Sequence, residues 1–126
     1  MQNKKTRILI IDDDALMQEL LVLALEMNDF EVFAANDGAQ GIKLLEDLTL
    51  RNSLDLIMVD LMMPVMDGLR FLRWLRQEAK ITIPVLVLTG MNRPTTLKDV
   101  MDAGATDLVY KPINVPELMD KLKQMF

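Results

Sequence analysis

Five side chains in this sequence have the types and spacing for phosphoryl chemistry: Asp12 and Asp13, Asp60, Thr89 and Lys111. Each stands at the end of an apolar run. Asp12 and Asp13 follow RILII (Arg7–Ile11), Asp60 follows Leu54–Val59, Thr89 follows Pro84–Leu88, and Lys111 follows Thr106–Tyr110. Three carboxylates gathered on one edge repel one another, and a divalent cation with oxygen ligands removes that cost. Mg²⁺ suits such a site because it takes few protein ligands and keeps several waters; Mn²⁺ shares its preference for carboxylate. An ammonium and a hydroxyl nearby add provision for an anion such as a phosphoryl group. A carboxylate can itself attack phosphorus to give an aspartyl phosphate. Positioning and charge neutralisation then account for most of the catalysis. Alone, an aspartate at a strand end is usually a turn or cap residue, and a lysine before proline a solvated charge. Five together, all at the carboxyl ends of strands, are not explained in that way.

The elements that must position these residues alternate along the chain. Leu16, Leu20, Leu23 and Met27 recur at helical spacing after the first apolar run. Phe30–Ala35 (FEVFAA) reads as a second strand, and Asn36-Asp37-Gly38 turns into a helix marked by Ile42, Leu45 and Leu48. After the loop Leu61–Met66, Leu69, Leu72 and Leu75 mark a third helix. A fourth over Thr95–Ala103 is stopped by Gly104, and Pro116–Phe126 is the last. Strict β-α alternation, with strands apolar on both faces, implies a parallel sheet covered by helices on each side. Right-handed crossovers bring the loops after the strands to one edge, where ligands bind in open sheets of this kind. Helix three is expected to turn Leu69, Leu72 and Leu75 inward, with Phe71 and Trp74 nearer its flank. Helix one is apolar almost all round, which leaves Val22 short of a core to join.

Composition closes off several classes. With 126 residues, 51% hydrophobic and 26% charged, the chain has the size of one domain that buries roughly two-thirds of its unfolded surface. No Cys excludes disulfides, thiolate metal sites and a cysteine nucleophile. No His removes a Ser-His-Asp triad, an imidazole zinc site and any phosphohistidine within the chain. A net charge of −5 argues against nucleic acid as a direct partner. The apolar run Ile8–Ile11 is too short for a signal peptide or membrane span, so a cytoplasmic location is expected, with no membrane partner.

The motifs IIDDD (Ile10–Asp14), VDLMMPVMDG (Val59–Gly68), VLTG (Val87–Gly90) and AGATDLVYKP (Ala103–Pro112) resemble the receiver domain of two-component response regulators. The likeness runs from Arg7 to the last helix, so residues 1–126 are expected to form a single receiver domain. It implies an α/β, flavodoxin-like doubly wound (βα)5 sandwich with a five-stranded parallel sheet, order 2-1-3-4-5. It further implies Asp60 as phosphoacceptor, and Mg²⁺ held by Asp13, Asp60 and the Met62 backbone carbonyl, with Asp12 acting largely through water. Thr89 would follow the phosphoryl group and Lys111 neutralise its oxygens. The donor would be a phosphohistidine on a sensor histidine kinase or phosphotransfer protein. The output would be a changed helix four–strand five–helix five surface, acting on a protein partner or a fused output domain. Arg93, Pro94, Leu97, Lys98 and Met101 belong to that region. Such a domain catalyses only its own phosphorylation and dephosphorylation and is not an enzyme in the usual sense. Pro64 and Gly68 read as loop-shaping residues, and the resemblance implies a cis Lys111–Pro112 bond.

Two departures stand out. Receivers commonly carry Tyr or Phe three positions before the lysine, where this chain has Leu108; Tyr110, two residues on, shares that face of the strand. The positions two after the phosphoacceptor and two after the threonine are Met62 and Met91, and a thioether is a poor partner for an attacking water. Slow self-dephosphorylation is expected. Apolar residues on helix one and on the helix four–strand five–helix five face make both candidates for a homodimer contact. Two other functions fit parts of the sequence. Asp12-Asp13-Asp14 holds the Asp-x-Asp spacing of haloacid-dehalogenase-like phosphatases, but position 16 is Leu and no acidic pair follows the fourth strand. A phosphorylation-independent interaction module would explain Leu108 but not the five intact polar residues.

Overall fold

A computed structural model describes residues 5–63, 66–90 and 93–126; Pro64 and Met91 lie outside them. Five strands, β1 (Arg7–Ile11), β2 (Glu31–Ala35), β3 (Leu56–Asp60), β4 (Val85–Thr89) and β5 (Asp107–Tyr110), pair in parallel in the order β2-β1-β3-β4-β5. This is the expected flavodoxin-like order. β3 and β4 are buried at every position, and period-2 alternation deals their side chains to two separate cores. Leu9, Ile11, Ile57, Val59, Val85 and Val87 face one side. Ile8, Ile10, Leu56, Met58, Leu86 and Leu88 face the other.

Six helices cover these faces: α1 (Ala15–Met27), α2 (Gly38–Leu45), α3 (Leu48–Ser53), α4 (Gly68–Arg73), α5 (Pro94–Asp102) and α6 (Val115–Met125). Side-chain oxygens start five of them. Asp14, Asp37, Asp47, Asp67 and Asn114 each accept a hydrogen bond from a main-chain N–H of the first turn. Arg93, before α5, makes no such bond, and Pro94 occupies the first turn instead. One helix more is present than the sequence pattern gives. Leu48 does not extend the second helix, because Asp47 accepts from Thr49 and Leu50 N–H and opens α3 there. Leu48 is consequently exposed.

The phase of α1 is also corrected. Its buried residues are Leu21 and Leu25, while Leu16, Leu20, Leu23 and Met27 face solvent and Val22 packs against the core. A helix apolar on two faces gives periodicity nothing to choose between. A polar residue makes the choice: the Gln18 side-chain amide donates to the Ala35 carbonyl at 2.7 Å and lies toward the sheet. Leu21 and Leu25, three and seven residues on, then fall on the same side. Leu72 in α4 and Leu75 just beyond it are buried as expected, Leu69 is half-buried, and Phe71 is fully buried rather than on the flank. Gly41 makes that room, since a Cβ there would lie 3.3 Å from the Phe71 ring and 2.5 Å from Ile11.

Beyond Arg73, α4 widens into a π turn, Trp74–Glu78. Arg76 in that turn donates through Nε to the Gly104 carbonyl at 3.0 Å, and through Nη1 to Ile81 and Ile83, both at 2.8 Å. Gly104 has φ +110° and receives the Arg76 side chain at 2.7 Å from where a Cβ would be.

Candidate functional site

At the carboxyl edge the three carboxylates meet. Oxygens of Asp12, Asp13 and Asp60 lie within 4.8 Å of one another, with Asp12 and Asp60 buried and Asp13 exposed. β1 and β3 are adjacent in the sheet, so their last residues deliver these groups side by side. Lys111 follows β5 and reaches across β4, its Nζ 3.0 Å from Asp60 Oδ2. Thr89 ends β4 between them, fully buried, and its carbonyl accepts the Lys111 N–H at 2.7 Å. The Lys111–Pro112 bond is cis. All five candidate polar residues are therefore brought to one place.

The backbone around Asp60 is drawn tight. Met62 N–H donates to Asp60 Oδ1 at 3.2 Å, while the Met62 side chain is exposed. Gly68 N–H donates to the Leu61 carbonyl at 2.9 Å, folding the start of α4 over the end of β3. A Cβ on Gly68 would meet the Asp60 carbonyl oxygen and lie 2.8 Å from Leu61 Cα.

Asp12 is the most buried of the three carboxylates. Its Oδ1 accepts from Asp14 N–H at 2.9 Å, whereas Oδ2 is buried with no hydrogen-bond partner among the described residues. Burial is the main cause that raises its pKa to about 6; the Asp60 charge adds to this, while the Asp14 N–H and Lys111 oppose it. An unpartnered buried oxygen within an all-oxygen acidic set fits a hard divalent cation. Because the cation needs ionised ligands, its affinity is expected to rise with pH through about 6 and level off above. Below that point it should fall about tenfold per pH unit. Mg²⁺ titration monitored by Trp74 fluorescence at several pH values checks this, and a flat profile would remove Asp12 from the site.

Gln18 is the one contributor with no signal in the sequence pattern. Besides Ala35 it donates to the Asp12 carbonyl at 3.3 Å and so ties α1 to the acid-bearing loop. Of the two departures in β5, Leu108 is buried in the core and Tyr110 is exposed. Leu97 and Met101 on α5, Tyr110 on β5 and Val115 at the start of α6 are also exposed apolar residues.

A doubly wound α/β sandwich thus carries an acidic cluster and a paired lysine outside the carboxyl ends of its strands. The chain belongs to the response regulator receiver domain family, whose model matches residues 8–123. Among relatives, it is 37% identical to the DNA-binding dual master transcriptional regulator RpaA of Synechocystis, over 94% of this chain and 48% of that protein. It is also 37% identical to the transcriptional regulatory protein CpxR of Escherichia coli, over 93% and 47% respectively. The chain thus spans about half the length of these relatives. Chemotaxis protein CheY4 of Vibrio cholerae has the same fold, with TM-score 0.87, 26% identity, and 98% and 100% of the two chains covered. A receiver domain belongs to two-component signalling and is not a classical enzyme. No helix among the described residues is long and apolar enough to cross a membrane.

Proposed function

We propose that this chain is a phosphorylation-dependent switch whose phosphoacceptor is Asp60. The observation that carries the reading is the Asp60 carboxylate, held 3.0 Å from Lys111 Nζ and within 4.8 Å of two further acids. Asp60 Oδ attacks the phosphorus of the donor, forming the O–P bond while the bond to the donor breaks. Asp12, Asp13, Asp60 and the Met62 carbonyl would hold Mg²⁺, with Mn²⁺ as substitute; the cation supplies charge neutralisation for the transferring group. Lys111 remains as counter-charge to the phosphoryl oxygens, and Thr89 would donate its hydroxyl to one of them. Phosphorylation then shifts an equilibrium between two conformations of the α5–β5–α6 surface. The donor is a sensor histidine kinase or phosphotransfer protein, and the output a protein partner or a fused domain. We further propose one receiver domain over residues 1–126, acting in the cytoplasm.

The test is intact-mass measurement after incubation with Mg²⁺ and acetyl phosphate, on wild type and Asp60→Ala. One phosphoryl adduct on wild type alone is the expected result. No adduct while Mg²⁺ still binds would favour a phosphorylation-independent module. Phosphate-ester turnover that survives Asp60→Ala and is lost in Asp12→Ala would favour a phosphatase instead.

The same adduct reports lifetime. Met62 carries a thioether beside the acceptor, unable to orient water, whereas a carboxylate there can. Met62→Glu is expected to shorten the adduct half-life severalfold, and an unchanged half-life would exclude water positioning from residue 62.

A further inference from the structure

α1 carries a second apolar face that the fold leaves uncovered. Leu16, Leu20, Leu23 and Met27 are 67%, 53%, 57% and 76% exposed. At 100° per residue they form one narrow stripe on the side of α1 turned away from Leu21 and Leu25, which are buried. Their spacing of four, three and four residues is that of the seam of a coiled coil, with leucine at both d-type positions, Leu16 and Leu23. A helix that is apolar on two opposite sides normally has two neighbours. The sheet is one of them.

We infer that the other is α1 of a second copy of this chain, packed in parallel about a two-fold axis along the helix. The charges flanking the stripe set the orientation. Glu19 and Glu26 line one flank, while Met17 and Ala24 line the other. In a parallel pair the acidic flank of each copy lies against the apolar flank of its partner, whereas an antiparallel pair sets Glu against Glu. A helix selected by basic side chains would find acids on one flank only. Two-fold pairing accounts for both flanks at once. Paired with a second copy, the four side chains bury on the order of 1,000 Å², the lower limit for a specific interface, so the dimer is weak and concentration-dependent. The −5 charge of each copy opposes it, and added salt screens that repulsion. The parallel arrangement sets both acidic clusters at the same end of the dimer, because Leu16 lies at the end of α1 nearest Asp12–Asp14.

Sedimentation equilibrium of this chain across micromolar to millimolar concentration tests the pairing. The mean mass is expected to climb from 14.4 kDa toward twice that value, more readily at high salt. Leu20→Glu with Leu23→Glu is expected to remain monomeric with an unchanged thermal melt, since both positions are exposed. Orientation is read separately by Leu16→Cys, the sole thiol in a chain without cysteine. In the parallel pair mild oxidation links residue 16 to residue 16. In an antiparallel pair residue 16 sits opposite the partner's residue 27, which leaves the two residues 16 about 16 Å apart along the helix, and no link forms. A monomer at every concentration, or association that survives the double substitution, would overturn the assignment and leave the stripe to a different protein. A dimer without the Leu16→Cys link would overturn the parallel arrangement.

Discussion

Gly68→Ala is expected to destabilise the protein by about 3 kcal/mol, at the upper end for forced overpacking, and to slow phosphoryl transfer to Asp60 at least tenfold. The added methyl meets the Asp60 carbonyl oxygen and Leu61 Cα at 2.8 Å. Both are backbone, so no side chain can swing aside. Relief requires moving either the first turn of α4 or the end of β3, and the latter carries the phosphoacceptor. A shift of an ångström in a reacting group costs on the order of a hundredfold in rate, so even partial movement should be visible. Urea midpoints report the first effect and the rate of adduct formation from acetyl phosphate the second. Gly90→Ala is the control. A Cβ there meets nothing within 4 Å among the described residues, and the variant's stability should stay within about 0.5 kcal/mol of wild type. If Gly68→Ala matched Gly90→Ala in both measurements, the close approach over Asp60 would have no functional weight.

Asp12→Asn is expected to do the opposite to stability while weakening the site. The Asp12 carboxyl is raised from 3.8 to about 6, chiefly by burial, so the folded protein favours its neutral form. The unfolded chain ionises near 3.8. As pH rises from there to about 6, the folded state holds a proton that the unfolded state has lost, and stability falls. Above 6 the cost is complete, at most about 3 kcal/mol. Asparagine never ionises, so without divalent cation the variant should exceed wild type by about 2 kcal/mol at pH 7. The gain should vanish toward pH 4. Saturating Mg²⁺ should narrow or reverse the order, since an ion bound only by the folded protein stabilises it and the variant has lost a charged ligand. Thermal melts at pH 4 and pH 7, with and without Mg²⁺, check all four conditions. A variant less stable than wild type at pH 7 without Mg²⁺ would show that the Asp12 charge is not strained.

Much of this site is legible in the amino-acid order because the chemistry and the topology coincide. Asp12, Asp60, Thr89 and Lys111 mark strand ends, and a parallel sheet with right-handed crossovers has only one edge to bring them to. Local signals of equal clarity start the helices, as the capping bonds of Asp14, Asp67 and Asn114 demonstrate. What could not be read is rotation. The leucines of α1 satisfy helical spacing on either face, and the tertiary bond from Gln18 to Ala35, 17 residues on, selects one. Phe71 is a similar case. Its place in the core depends on the missing side chain of Gly41, on another helix, which no local pattern of α4 contains. α3 was missed because a single Asp47 cap interrupts a periodicity that otherwise continues.

The three carbonyls gathered by Arg76 bear on how this molecule keeps its shape away from the phosphoacceptor. Residues 79–84 between the π turn and β4 form neither helix nor strand, yet two of their carbonyls are bound by one half-buried guanidinium that also holds Gly104 beyond α5. A planar fork makes these bonds with little further loss of freedom, which a lysine in its place would not reproduce. Regularity and fixity are therefore separate properties here. A stretch without periodic hydrogen bonding acquires definite coordinates from one side chain, much as a cross-link would supply them.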